Sequence, residues 1–386
     1  MRTLSLVLAA VLVLAGCAPA EKPAVPATSA AHDDTGIDAR ESADPVTRLV
    51  LVEPGTGATV VYDAGGETEE SLGEFGPTGG VSGDGRFAYL HGETGLTIVD
   101  AGSWTFDHGD HSHYYVMAPG VAGTVDGRVE RADGQRDLTA LRRGDGTVEV
   151  LDRKRLGEHH IASAAGFDGL RDAAAVMPLG ADLVAVTPSG AVNAITWDGA
   201  RQTLGQCPGV TGSALVSGAV VFGCADGAVK ISKRAGKLVA QQLPFGNGGP
   251  TVQPGPLVHR HGGMTLAAIA GDDVWVLNAK RGDWASVRIP GAVAVNTISA
   301  ESVLALTEDG QLRAFDVPSG TQTGALQLFS GPVSSAAPVI EVDADRAYIN
   351  DVAARAVYEI DYADPLRLAR TLKTSVAPGF MVETGR

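Results

Sequence analysis

The 386-residue chain is short of cysteine, of basic charge and of long apolar runs. With three Cys it has at most one isolated intrachain pair to stabilise it. Thirty Lys and Arg stand against 45 Asp and Glu, for a formal net charge of −15. No basic block exceeds Arg153-Lys154-Arg155, so the chain repels phosphate backbones and nucleic acid is not an expected partner. Catalytic signatures are missing too: there is no Gly-x-Ser-x-Gly elbow, no His-Glu-x-x-His, no Walker loop and no Gly-x-Gly-x-x-Gly between a strand and a helix. The 50 Gly lack a collagen period, and 44% hydrophobic residues are ample for a core, which excludes a wholly disordered protein.

The apolar run from Leu4 to Leu14, preceded by Arg2, is too short to span a bilayer comfortably and reads as a signal peptide over residues 1–16. Leu14-Ala15-Gly16-Cys17 has the form of a bacterial lipobox, in which Cys17 becomes the lipidated first residue of the mature chain. Two acyl chains would then hold the protein at a membrane without a transmembrane helix, in an extracytoplasmic compartment of the cell envelope. Residues 17–46 are rich in Ala, Pro, Ser and Asp and read as a flexible tether, with His32 inside it. The folded domain is expected over 47–386.

One unit recurs through that domain: an apolar or β-branched strand, a polar turn usually ending in Gly, and a second alternating strand. It spans Arg48 to Asp63, Arg86 to Asp100, Leu138 to Asp152, Leu183 to Asp198, Val220 to Ser232, Leu266 to Asn278, Val303 to Asp316 and Arg346 to Asp361. Asp145-Gly146, Ser189-Gly190, Asp226-Gly227 and Asp309-Gly310 supply hairpin turns. A spacing of roughly 43 residues matches the four-stranded blade of a β-propeller. The expected fold is therefore an all-β propeller of eight blades, or seven if one outer pair is miscounted; a stack of β-sandwiches is the alternative.

Chemistry concentrates in Asp107-His108-Gly109-Asp110-His111-Ser112-His113-Tyr114-Tyr115. His-x-His places two imidazoles on one face of an extended strand, roughly 7 Å apart at Cα. His108 can join them if Gly109 bends the backbone. Asp107 or Asp110 is then a ligand, or an acceptor that fixes a ring's tautomer. Imidazole with carboxylate suits Zn(II), whereas Ca(II) and Mg(II) prefer oxygen cages. A solvated His-rich loop without metal is the plainer reading. His159-His160 and His259-Arg260-His261 are further candidates, and His91 reads as structural. Cys207 and Cys224 are simplest as a disulfide in an exported chain; a zinc-thiolate pair would lack Cys-x-x-Cys spacing.

These residues, with Cys207-Pro208-Gly209, Phe222-Gly223-Cys224-Ala225-Asp226-Gly227, Arg346-Ala347-Tyr348 and Glu359-Ile360-Asp361, resemble the AztD-type zinc metallochaperones. The resemblance spans nearly all of the chain after the tether, and the His108 to His113 run is its most specific part. It implies a β-propeller that binds Zn(II) and passes it to the solute-binding protein of a zinc ABC transporter. It also implies ligation by His108, His111 and His113 with one of His159 and His160, Asp110 in or beside the ligand set. Thr211 and Ser213 stand where the family pattern has a His and an acidic residue, so that either His259 or His261 substitutes, or the site is weaker or takes a water. The expected protein is monomeric, non-enzymatic and releases metal on acidification, since histidine binds when neutral. A propeller lactonase or metal-dependent hydrolase, and a metal-free scaffold, are the readings from other classes.

Overall fold

A computed structural model describes residues 38–108, 111–167, 169–246, 248–333, 338–363 and 365–386. The expected signal peptide, Cys17, the tether as far as residue 37 with His32, and Asp110 lie outside the described residues.

Each of the eight hairpins expected from the sequence is a pair of adjacent strands in its own antiparallel sheet, the middle pair in six four-stranded sheets; the third and sixth sheets have three strands. The reason is visible in the residues. Middle strands such as Ala219–Cys224 are apolar without a break and buried throughout, because each lies between neighbours in its own sheet and a sheet packed on either face. The outermost strand of the first sheet, Thr68–Glu74, reads Thr-Glu-Glu-Ser-Leu-Gly-Glu and is almost wholly exposed.

Eight hydrophobic clusters join the sheets, each cluster drawn from two sheets that are consecutive around the ring. One contains Phe87, Leu96 and Ile98 of the second sheet with Val129 and Leu141 of the third. Another joins Tyr348, Val357 and Leu372 of the eighth sheet to Leu49, Leu51 and Tyr62 of the first, so the series closes on itself. The first sheet also takes its inner strand, Phe380–Thr384, from the far end of the chain: Val382 pairs with Val50 and Glu383 with Leu49. The all-β propeller expected from the sequence is thus the observed fold.

Two features depart from a plain meander. In the third sheet Val148–Asp152 is followed by the short helix Arg153–Gly157, capped by Asp152, whose carboxylate accepts from the Arg155 amide. The chain then returns to bond the open edge of that strand, the Ala164 amide donating to the Val150 carbonyl at 2.8 Å and the Val148 amide to that of Leu170 at 3.1 Å. In the second sheet the connection between Gly95–Asp100 and Gly120–Asp126 rises into a separate hairpin, Ser103–Asp107 with Ser112–Val116. A third strand, Arg40–Ser42, adds to that hairpin with Arg40 opposite Val116, Glu41 opposite Tyr115 and Ser42 opposite Tyr114. Composition alone placed residues 40–42 in the tether; the hairpin's open edge supplies the backbone partners that order them. Cys207 and Cys224 form a buried disulfide between the fourth and fifth sheets. Among the described residues no helix is long and apolar enough to cross a membrane.

Candidate metal centre

Antiparallel alternation puts the connection after the third strand of a sheet on the same face as the turn between its first two strands. The extra hairpin and the segment carrying His159 and His160 therefore emerge on one face, from the second and third sheets.

The hairpin is seated firmly at its base. The three Arg48 contacts from one Nη1 reach the carbonyls of Ala101, Gly102 and Met117 at 2.7, 3.1 and 2.9 Å. Thr105 Oγ1 donates to the Gly385 carbonyl at 2.8 Å and Ser103 Oγ to that of Val46. Gly102 has φ +68°, and a Cβ there would lie 2.4 Å from the Met117 carbonyl oxygen, so the entry into the hairpin requires glycine. Trp104 stacks on its cross-strand partner Tyr115, centroids 5.4 Å apart, and its ring lies on the guanidinium of Arg86.

Three imidazoles meet at the hairpin's tip. The His108 amide donates to the His111 carbonyl at 2.9 Å, closing the turn, and Phe106 stands opposite His113 in the register. One ring nitrogen of each of His108, His111 and His113 lies within 4.8 Å of the others. The His108 and His111 rings are stacked with centroids 4.8 Å apart, and the His113 ring stands steeply to both, at 5.2 and 5.0 Å. His108 and His111 are exposed and His113 is half-buried. Among the described residues no other three His, Cys, Asp or Glu side chains gather this closely. Glu41 adds a carboxylate: its Oε1 is 2.6 Å from His113 Nδ1. Sequence reasoning missed this residue, since one Glu in a polar segment carries no signal until strand pairing brings it to the ring.

The remaining candidates do other work. His159 Nε2 lies 3.3 Å from Asp100 Oδ2, and its φ of +60° follows from its place just past the helix, where its amide donates to Leu156. Asp100 is fully buried; burial acts to raise its pKa, but His159 and Arg86 outweigh that and hold the carboxyl below its ordinary value. His160 is exposed, 4.0 Å from Glu158. Thus the structure does not bring His159 or His160 into the cluster, and the three clustered rings come from a single hairpin rather than from separate sheets. His91 spans two sheets, with Nδ1 on the Val129 carbonyl at 2.9 Å and Nε2 on Ser82 Oγ at 3.0 Å.

His259 and His261 line a central cavity of about 570 Å³, as do Thr211, Ser213, Glu383 and Arg386. None of the three hairpin histidines is part of its wall. The departure from the family pattern at Thr211 and Ser213 therefore falls on the channel, and His259 and His261 share that channel instead of completing the hairpin cluster. Burial, helped by the Arg386 charge, pushes His259 down to about 4 and His261 to about 3.

Compared with solved structures, the chain superposes on AztD of Citrobacter koseri with a TM-score of 0.73 over 88% of this chain and 98% of that one, at 18% identity. The apo form of the same protein gives 0.72 at 17% identity, with the same coverage. Dihydro-heme d1 dehydrogenase NirN in complex with DHE gives 0.57 at 15% identity, over 90% of this chain and 77% of that one. The likeness to AztD drawn from the sequence is therefore met at the level of fold. No protein-family model and no curated protein sequence matches the chain.

Proposed function

We propose that this protein is an exported zinc carrier that holds Zn(II) on the His108–His113 hairpin and hands it to the solute-binding protein of a zinc ABC transporter. The observation that carries the reading is the cluster itself: three imidazole nitrogens within 4.8 Å, two of the rings exposed, on a braced hairpin of an AztD-like fold. Three nitrogen donors suit Zn(II), and a three-ligand site keeps a fourth position for an incoming group. A closed four-ligand site would retain its metal.

Transfer then proceeds by ligand exchange. An acceptor imidazole or carboxylate takes the fourth position, and the hairpin histidines leave one at a time. The exposure of His108 and His111 gives the acceptor access, while the Arg48 and Arg86 contacts keep the base of the hairpin in place. Protons compete with metal for the imidazoles, so acid favours release.

The buried disulfide supports an oxidising, extracytoplasmic compartment. Lipidation at Cys17 would keep the carrier at the membrane beside the transporter. The zinc is cargo here, held on two exposed rings and one half-buried ring.

The test is zinc content and competition titration of purified, tag-free protein, followed by mixing with apo solute-binding protein. One zinc per chain at the hairpin, absent from a His108→Ala, His111→Ala, His113→Ala variant and passed to the acceptor faster than free exchange allows, is the expected result. Equal zinc content in the triple variant and the wild type overturns the proposal.

A further inference from the structure

We infer that Glu41 is a positioning residue for His113, and that the strand carrying it, Arg40–Ser42, is a detachable wall whose attachment is coupled to metal binding. The inference deepens the zinc-carrier reading and rests on it.

The geometry has three parts. First, Glu41 Oε1 lies 2.6 Å from His113 Nδ1. A neutral imidazole carries one proton; with that proton on Nδ1, donated to the carboxylate, the ring's lone pair is on Nε2, the nitrogen that a metal would then take. Carboxylate partners of this kind fix the tautomer and raise the ring's basicity toward the ion. Second, the strand is only three residues long, and its burial pattern is exposed, exposed, half-buried. It is held by pairing with Tyr114, Tyr115 and Val116, with little apolar area to stabilise it. Third, the chain is fixed again at Val46, whose carbonyl accepts from Ser103 Oγ, and then enters the first sheet at Arg48. Separation of the strand can therefore stop at Val46 and leave the propeller intact.

Coupling follows by linkage. The Glu41 contact exists only while the strand is attached, and it favours the tautomer that binds metal. Attachment must therefore raise metal affinity, and metal must stabilise attachment by the same factor. Anything that draws residues 38–42 away from the hairpin lowers the affinity of the site, which gives the carrier a means of release that needs no change in the ring of sheets.

The full chain is tested with Zn(II) alone. Competition titrations compare wild type, Glu41→Gln, Glu41→Ala, Glu41→Asp and His113→Ala, with melting curves to confirm that each is folded. Hydrogen exchange at residues 40–42 and 114–116 is read with and without zinc, and ¹⁵N spectra report the His113 tautomer. Glu41→Gln and Glu41→Ala are expected to bind zinc about 10–100-fold more weakly, with Glu41→Asp between them and wild type. Zinc should slow exchange at 40–42 in the wild type and not in Glu41→Ala, and the Nδ1–H signal should be lost in Glu41→Ala. Wild-type affinity in Glu41→Ala, or exchange at 40–42 that ignores zinc, overturns the inference while the zinc reading stands. An oxygen neighbour of the metal that disappears in Glu41→Gln, seen by X-ray absorption, makes Glu41 a ligand and also overturns it. Failure of the zinc reading looks different: His113→Ala and wild type would then bind zinc alike.

Discussion

The guanidinium carbon of Arg86 lies 3.7 Å from the centre of the Trp104 ring. The same guanidinium bonds Asp100, Nη2 to Oδ2 at 2.7 Å, and the Gly157 carbonyl at 3.2 Å. One side chain thus ties the floor of the histidine hairpin to the second sheet and to the helix that precedes His159. Asp100 is fully buried and Arg86 nearly so. Removal of Arg86 leaves Asp100 with its negative charge in a dry site and His159 as a weaker partner. Arg86→Ala is expected to destabilise the fold by about 3–5 kcal/mol in urea unfolding. Arg86→Lys should restore little of this, because a point charge provides neither the fork nor the flat face that Trp104 covers. A loss below about 1 kcal/mol, the range of exposed ion pairs, would show that the pair is not the brace described here.

The ligand set makes a contrast that single substitutions can read. His108→Ala, His111→Ala and His113→Ala each remove one of three clustered donors and should each end stoichiometric zinc binding. His160→Ala touches an exposed ring whose near contact is Glu158, and should leave the titration unchanged. His159→Ala should lower stability through Asp100 while sparing the zinc isotherm measured on the folded fraction. If His160→Ala weakens zinc binding as much as His111→Ala does, the hairpin is not the whole ligand set.

The fold was legible because its signals are local. Each middle hairpin combines two apolar strands with a polar turn, and the strand-turn-strand pattern is set within some fifteen residues. The cluster of His108, His111 and His113 was legible for the same reason. What sequence spacing does not encode is contact between distant segments. Glu41 reaches His113 across 72 positions through strand pairing, and nothing near Glu41 marks it as a metal-site residue. His159 satisfies the simple rule for a ligand, a histidine on the right face, but Asp100 takes its ring. His259 and His261 satisfy His-x-His spacing, but the sixth sheet turns them toward the central cavity. Periodicity shows which face a side chain takes within its own strand; it does not show which cavity that face lines.

The disulfide gives a prediction about stability alone. Cys207 and Cys224 are 17 residues apart with Cα atoms 5.0 Å apart, and both are buried in the cluster shared by the fourth and fifth sheets. A link closing so short a loop contributes about 3 kcal/mol, chiefly by restricting the unfolded chain. A Cys207→Ala, Cys224→Ala variant should unfold at lower urea by that amount and keep its zinc affinity when folded, because neither residue touches the hairpin. A matched loss of zinc affinity would mean that the two halves of the ring communicate more strongly than these contacts show.

The central cavity contributes a pH dependence of stability. Glu383 is buried, with Oε2 3.1 Å from Arg386 Nη1, while Glu341 takes the other arm of the same guanidinium at 2.8 Å. Burial, Glu341 and Asp343 push Glu383 up to about 8 against the pull of Arg386. An unfolded glutamate titrates near 4.3, so between about pH 4.3 and about pH 8 the folded chain holds a proton that the unfolded chain has released. Stability from this group is full below that window and is lost as pH rises through it. The histidines act in the opposite sense: with folded values of about 4 and about 3 for His259 and His261, the unfolded chain binds the extra protons below about pH 6.5. Their contribution is present above that value and falls away on acidification. Above about pH 6.5 only the glutamate is left to act among these three groups, so wild-type melting temperature should decline toward about pH 8 and Glu383→Gln should remove that decline. A His259→Asn, His261→Asn variant should instead flatten the acid limb and leave the alkaline one. Parallel alkaline limbs for wild type and Glu383→Gln, measured by thermal unfolding at matched ionic strength, would rule out the buried protonated carboxyl.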